Sequence, residues 1–187
     1  MQEKQQKRIV AFTGRKASGK GVAGAFFAQR YGAHTIDYSI SLHEALAIMD
    51  IPEIQINITK LSMFLRSRFG ADVLQKSVCK KILASQSSLV SLFGVRRVSD
   101  FESIKKEYRF QLIFIESQFD IRYQRYIARN QRTGDREMDK KYFQALDESE
   151  PELQIESLKP LADYVVENNK TMEEFQKALE EVFETII

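Results

Sequence analysis

The stretch GRKASGKG, Gly14 to Gly21, constrains this chain more than any other. It stands between a short β-branched run, Arg8 to Thr13 (RIVAFT), and a segment from Lys20 to Tyr31 in which Ala23, Phe27 and Tyr31 recur every four residues beside Val22 and Phe26. The first run reads as a buried strand, the second as an amphipathic helix stopped by Gly32. Glycines at such a junction let the backbone turn tightly, so that successive N–H groups face a phosphate at the positive end of the helix. Lys20 then reaches the outer phosphates as a mobile ammonium. The pattern is G-x-x-x-x-G-K, but it ends in Gly21 where a hydroxyl residue is usual. Gly21 and Val22 carry no side-chain oxygen, so Mg²⁺ would depend on phosphates, waters and a carboxylate elsewhere. The bland alternative is a glycine-rich turn before an ordinary helix.

The rest of the chain alternates in the same way. Strands are expected at His34–Tyr38, Ser88–Val95, Phe110–Glu116 and Asp163–Glu167. Helices are expected after Ser41 (with Glu44 closing a capping box), over Thr59–Phe69 up to Gly70, and over Asp72–Ala84. Further helices are expected at Phe101–Tyr108, Asp120–Arg132, Asp139–Ser149 and Thr171–Phe183, with a turn at Thr133–Asp135 and an interruption at Pro151. Alternating strands and helices predict one α/β domain over 1–187, with a parallel sheet covered on both faces. No repeat or low-complexity linker divides it.

Apolar residues make up 43% of the 187 and charged residues 29%, which allows a sizeable core and argues against wholesale disorder. No apolar run approaches the ~18–20 residues of a bilayer span. MQEKQQKR passes straight into a short apolar run without a cleavage-site pattern, so a secretory signal is not expected there. The lone Cys79 permits no internal disulfide, so a reducing, cytoplasmic location is expected. The formal charge of +2 conceals an asymmetry: residues 147–187 hold 12 acidic against 3 basic side chains, leaving 25 basic against 14 acidic in residues 1–146. That excess suggests an anionic partner, either phosphates on a small molecule or a nucleic-acid backbone. No recognised RNA- or DNA-binding motif accompanies it.

The loop and its helix resemble small P-loop kinases of the nucleoside monophosphate and dephospho-coenzyme A kinase group. The likeness continues through LRSRFGADVLQKSVCKKI (Leu65–Ile82), GVR (Gly94–Arg96), the arginine-rich helix and ADYVVENNKTMEEF (Ala162–Phe175), as in poorly characterised prokaryotic members. It implies a three-layer P-loop NTPase fold with a five-stranded parallel sheet. It further implies a helical acceptor-binding region at about 39–87 and a small lid at about 129–141. The implied chemistry is transfer of the γ-phosphoryl of ATP, with Mg²⁺, to a small phosphorylated or nucleotide-like acceptor. The implied donor site is Gly14, Arg15, Lys16, Ala17, Ser18, Gly19, Lys20, Gly21 and Val22, joined by Arg132.

Arg125 and Arg129 lie four apart on one helical face, flanked by Arg122 and Arg132. In the kinases this chain resembles, such a pair contacts ATP and the moving phosphoryl group, whose dispersed charge arginines stabilise. The alternative is a solvated basic face paired with Asp120, Asp135 or Glu137. The resemblance also implies that Arg96 holds an acceptor phosphate; Arg66 and Arg68 either add to that site or form a charged helix face. Asp37, ending the second strand, either orients a hydroxyl acceptor as a base or caps the next element. Relatives carry Asp where Phe93 stands, so a usual magnesium partner is missing; Glu116 or Asp37 could substitute. Failing that, the protein binds nucleotide with little turnover. Asp147–Glu148 reads as an exposed acidic helix end, or as a partner for a lid arginine. Asn168 and Asn169 lie where relatives approach adenine through backbone atoms, or simply form a turn.

Overall fold

The computed structural model describes residues 7–130 and 139–187. The chain runs β1 (Arg8–Thr13), α1 (Lys20–Tyr31), β2 (His34–Asp37), α2 (Ile40–Ile48), α3 (Gln55–Phe69), α4 (Val73–Ala84) and β3 (Leu89–Phe93). A 3₁₀ turn (Val98–Asp100), α5 (Glu102–Glu107), β4 (Arg109–Glu116), α6 (Phe119–Asn130), α7 (Lys140–Asp147) and α8 (Glu150–Glu156) follow. A second 3₁₀ turn (Lys159–Leu161), β5 (Tyr164–Glu167) and α9 (Met172–Ile186) complete it. The five strands are all parallel, in the order β2-β3-β1-β4-β5. This is the α/β architecture expected of the sequence.

Strand pleating explains how one short run builds two cores, because alternate side chains point to opposite faces. From β1, Ile9 and Ala11 enter a core shared with α4 and α5, while Val10 and Phe12 enter another shared with α1 and α9. Register carries the division across the sheet: Ala11 lies beside Leu112 on the first face, Phe12 beside Ile113 on the second. Helix α9 closes the second face with Phe175, Leu179, Phe183 and Ile186, spaced at helical intervals. Its entry is fixed by a capping box between Thr171 and Glu174. Met172, in the first turn of the same helix, is exposed.

Two local expectations change. Helix α2 starts at Ile40, and the Ser41–Glu44 capping box does not form. Asp37 already takes the amide and hydroxyl of Ser39, so the chain turns helical earlier; Ser41 meets Ser77, and Glu44 pairs with Lys81. Pro151 starts a helix rather than merely interrupting one. It sits in the first turn of α8, where a missing N–H has no intrahelical acceptor to lose. Arg132 and the expected Thr133–Asp135 turn lie outside the described residues, as does most of the expected lid.

Candidate nucleotide and acceptor site

The glycine-rich loop leaves β1 at the carboxyl edge of the sheet and enters α1 through Gly19, whose φ is 106°. A side chain there meets two obstacles. The backbone angle is one that L-residues avoid, and a Cβ would lie 2.2 Å from Asn168 Nδ2. Asn168 is itself buried: its Nδ2 donates to the Ser18 carbonyl at 2.8 Å, and its Oδ1 accepts from Arg125 Nη2 at 2.9 Å. One amide thus ties the loop, β5 and α6 together. The sequence suggested only backbone contact or a turn for this residue.

A cleft of about 470 Å³ opens in front of the loop, lined among others by Gly19, Lys20, Asp37, Gly94, Arg96 and Arg129. Four charged residues expected in the site therefore converge there: Lys20, Asp37, Arg96 and Arg129. Ala17, Gly19 and Gly21 form its wall. Burial, with the nearby charges of Arg96, Lys16 and Arg129, depresses the Lys20 pKa to about 8, against an upward pull from Glu152. Lys16 is lowered by the same desolvation. Asp37 stays exposed although its Oδ1 accepts from both Ser39 N and Oγ, at 2.7 and 2.6 Å. It therefore caps the following turn and also lines the cleft.

A second cleft lies on the other side of the loop, with Gly19, Val22, Arg125, Arg129, Asn168 and Met172 around it. Arg129 borders both clefts, whereas Arg125 borders only the second and has its pKa lowered by burial and by Arg129. The third arginine of this face behaves differently. Arg122 is 4% exposed and grips buried Asp147 with both terminal nitrogens, its Nη2 at 2.8 Å. Asp147 also receives Arg15 Nη1 at 2.9 Å. Burial alone would raise the Asp147 pKa, but Arg122 and Arg15 outweigh it and hold the carboxyl below its ordinary value. Asp147 is therefore an internal anchor, not the exposed helix end expected. Asp120 pairs with Lys140 instead of with an α6 arginine.

The front of the loop is fastened to α7 and α8. Arg15 turns its guanidinium to Glu156 and Asp147, away from the cleft; burial would lower its pKa, but those carboxylates leave it raised. The Lys16 carbonyl accepts from Arg122 Nη1 at 3.3 Å, and its amide donates to Glu152 Oε2 at 2.7 Å. Gly14 and Ser18 are buried beneath the loop. Asp147, Glu152 and Glu156 come from an acidic stretch with no periodic or motif signal, so no reading of the sequence singled out Glu152 or Glu156.

A third cavity, about 180 Å³, is enclosed by α2, α3, α4 and the turn after β3. Leu42, Ile58, Met63 and Leu74 supply apolar wall, and Tyr38, Ser39, Arg66 and Arg96 supply polar wall. Asp100, 1% exposed, organises the polar side. Its Oδ1 accepts from Arg66 Nη2 at 2.7 Å, and its Oδ2 from the amides of Arg96 and Arg97 at 2.9 and 3.1 Å. Arg66 also donates to the Ala71 carbonyl just beyond its own helix, and its bond to Asp100 braces α3 against the turn after β3. Arg96 stays 42% exposed, at the junction of this cavity with the first cleft; the two share Ser39, Gly94 and Arg96. Phe93 packs against Phe12 and borders the first cleft without offering an oxygen. Glu116, the other carboxylate considered, is bound to Lys159 at 2.5 Å.

The topology and this arrangement define an α/β protein with the fold of the P-loop kinases. The chain is similar to a gluconokinase from Sinorhizobium meliloti (15% identity, TM-score 0.60, 97% of this chain and 95% of that one). It is likewise similar to a shikimate kinase from Bacteroides thetaiotaomicron (14% identity, TM-score 0.57, 96% and 97%). In sequence it is 28% identical over 187 residues to UPF0200 protein PH1008 of Pyrococcus horikoshii, covering 96% of this chain and 97% of that protein. It is 27% identical over 180 residues to a UPF0200 protein of Sulfurisphaera tokodaii, covering 96% and 98%. No protein-family profile matches the chain.

Proposed function

We propose that this protein is an ATP-dependent phosphotransferase that moves the γ-phosphoryl group to a small, phosphorylated or nucleotide-like acceptor. The observation that carries the reading is the junction of the two cavities at Arg96, with Lys20 on one side and the enclosed cavity of α2–α4 on the other. Loop amides from Ala17 to Val22 and the Lys20 ammonium hold the donor phosphates, and Arg125 borders the side on which the nucleoside lies. Arg129, which reaches both clefts, screens the charge that spreads over the migrating group. Arg96 anchors the acceptor phosphate, and its guanidinium fork suits that geometry. Helices α2–α4, within residues 39–87, form the acceptor-binding region.

Asp37 is the carboxylate that lines the donor cleft among the described residues. One carboxylate together with substrate phosphates and water is a set that suits Mg²⁺, which usually keeps several waters. Asp37 would hold the ion or its water shell, and the ion would neutralise phosphate charge. Alternatively, the same exposed carboxylate orients and deprotonates a hydroxyl acceptor, which a nucleoside monophosphate would not require. Dephospho-coenzyme A fits that demand within the resemblance. The fold neighbours whose names denote sugar and shikimate phosphorylation also favour a hydroxyl acceptor.

ATP consumption measured across a panel of such acceptors with Mg²⁺, with products identified by mass spectrometry, tests the reading. Acceptor-stimulated turnover that disappears in Lys20→Ala, with the fold retained, is the expected result; turnover undiminished by that change removes the assignment. Phe93 favours a second reading, a nucleotide-binding regulatory protein with weak catalysis, because its ring stands where the resemblance implies a metal-binding carboxylate. Nucleotide binding without turnover for any acceptor would select it.

A further inference from the structure

The donor cleft has an electrostatic difficulty. Arg96 stands close enough to disfavour the charge on Lys16; Arg96, Lys16 and Arg129 together disfavour the charge on Lys20, and Phe93 contributes no charge to offset them. Glu152 answers this from behind the loop. It is 3% exposed, its Oε2 accepts from the Lys16 amide at 2.7 Å, and its Oε1 lies 3.7 Å from Arg96 Nη1. A carboxylate so buried keeps its charge only beside donors and cations, and here it has both.

We infer that Glu152 is a positioning residue that couples the two halves of the site, joining the glycine-rich loop at the Lys16 amide to the acceptor anchor Arg96 while holding the surrounding cations against their mutual repulsion. The inference deepens the phosphotransferase reading and rests on it. Glu152 is neither a base nor a metal ligand in this role. It does not border the cleft where the reacting atoms would meet, and its two oxygens already face an N–H donor and a guanidinium.

The charges around Lys20 give the inference a readout that mere packing would not move. Burial lowers Lys20 most, and Arg96, Lys16 and Arg129 lower it further. Asp37 faces the same cleft from the end of β2, and Asp147 and Glu156 are held by Arg122 and Arg15. Glu152 is the carboxylate whose charge supports the ammonium form. Neutralising it lowers the Lys20 pKa from about 8 into the range where nucleotide binding is ordinarily measured.

ADP binding to the full chain, measured by calorimetry from pH 7 to pH 10, tests this without requiring turnover. Wild type is expected to bind with constant affinity up to about pH 8 and progressively less tightly above it. In Glu152→Gln the break moves to lower pH by about one unit, making binding roughly fivefold weaker at pH 8; Glu152→Asp, which keeps the charge, restores most of the shift. A uniform loss of affinity with the break unmoved overturns the inference and leaves the nucleotide site standing. Wild type that binds no ADP at any pH instead overturns the phosphotransferase reading. Should Glu152→Gln not fold, carbon NMR of the Glu152 carboxyl in wild type decides. A step near pH 8 that vanishes in Lys20→Met is expected, and its absence in wild type overturns the inference.

Discussion

A Cβ atom on Gly24 would lie 1.9 Å from Cε1 of Phe93. The second turn of α1 therefore lies directly on the ring that ends β3, and the Ser91 hydroxyl donates to the Gly24 carbonyl at 3.3 Å beside it. Phe93, the most unexpected residue of the site, is matched by a glycine on the facing helix. The ring and the missing side chain occupy one volume between them.

That pairing reverses an ordinary rule. Gly→Ala inside a helix usually stabilises by about 1 kcal/mol, whereas Gly24→Ala is expected to destabilise by about 1–3 kcal/mol through overpacking. Phe93→Leu should recover part of that loss when combined with it. Denaturant midpoints of the two single variants and the double variant supply the cycle; simple additivity would show that the residues do not interact.

Gly21 is the opposite case, since a Cβ there would find nothing within 4 Å. Gly21→Ala is expected to raise stability by about 0.5–1 kcal/mol, as for an unobstructed helical glycine. Gly21→Ser should fit equally well and supply the absent hydroxyl, so Mg²⁺ should strengthen nucleotide binding more in that variant than in wild type. Titrations with and without the ion measure the difference.

Lys20 links function to stability. Its folded pKa of about 8 lies below the ordinary 10.5, so between these values the unfolded chain holds a proton that the folded chain has lost. The contribution of this group to stability therefore rises with pH across that window, and below about pH 8 the cost of burying the ammonium is fully present. Lys20→Met is expected to unfold at a higher denaturant concentration than wild type at pH 7, with the gap narrowing towards pH 10.5. A gap that is constant with pH would refute this origin.

Asp147 should be among the most sensitive positions in the chain. Asp147→Asn leaves the buried Arg122 guanidinium without its counter-charge and is expected to cost about 3–5 kcal/mol, whereas joint replacement by apolar residues of similar volume costs less. Because its folded pKa is depressed, Asp147 contributes stability above its unfolded value of 3.8, and that contribution is lost as pH falls through the folded pKa. Acid unfolding of wild type should therefore include a step that is absent from Asp147→Asn.

The parts of the fold legible in the sequence are those where neighbours along the chain carry the signal. β1 and α1 have the expected bounds, Arg8–Thr13 and Lys20–Tyr31, because a β-branched run and a four-residue periodicity flank punctuating glycines. Helix α2 departs because Asp37, lying outside the expected capping box, captures Ser39. Among the arginines, equal spacing conceals different fates: Arg122 is buried against Asp147, Arg125 holds Asn168, and Arg129 borders the clefts. Helical periodicity assigns them a shared face but not the elements that meet it.

The sequence by itself determined the alternating α/β order, the two-faced burial of the strands and the glycine-rich turn at the head of α1, all written in contacts between near neighbours. It also recorded a basic body and an acidic carboxyl-terminal portion, and there the excess of positive charge suggested an outside anion. Only the tertiary structure showed that part of this excess is answered within the molecule, where Asp147, Glu152 and Glu156 meet Arg15, Arg96 and Arg122. These partners lie far apart along the chain. Coulomb attraction depends on distance in space, and the packing of α7 and α8 against the loop sets that distance.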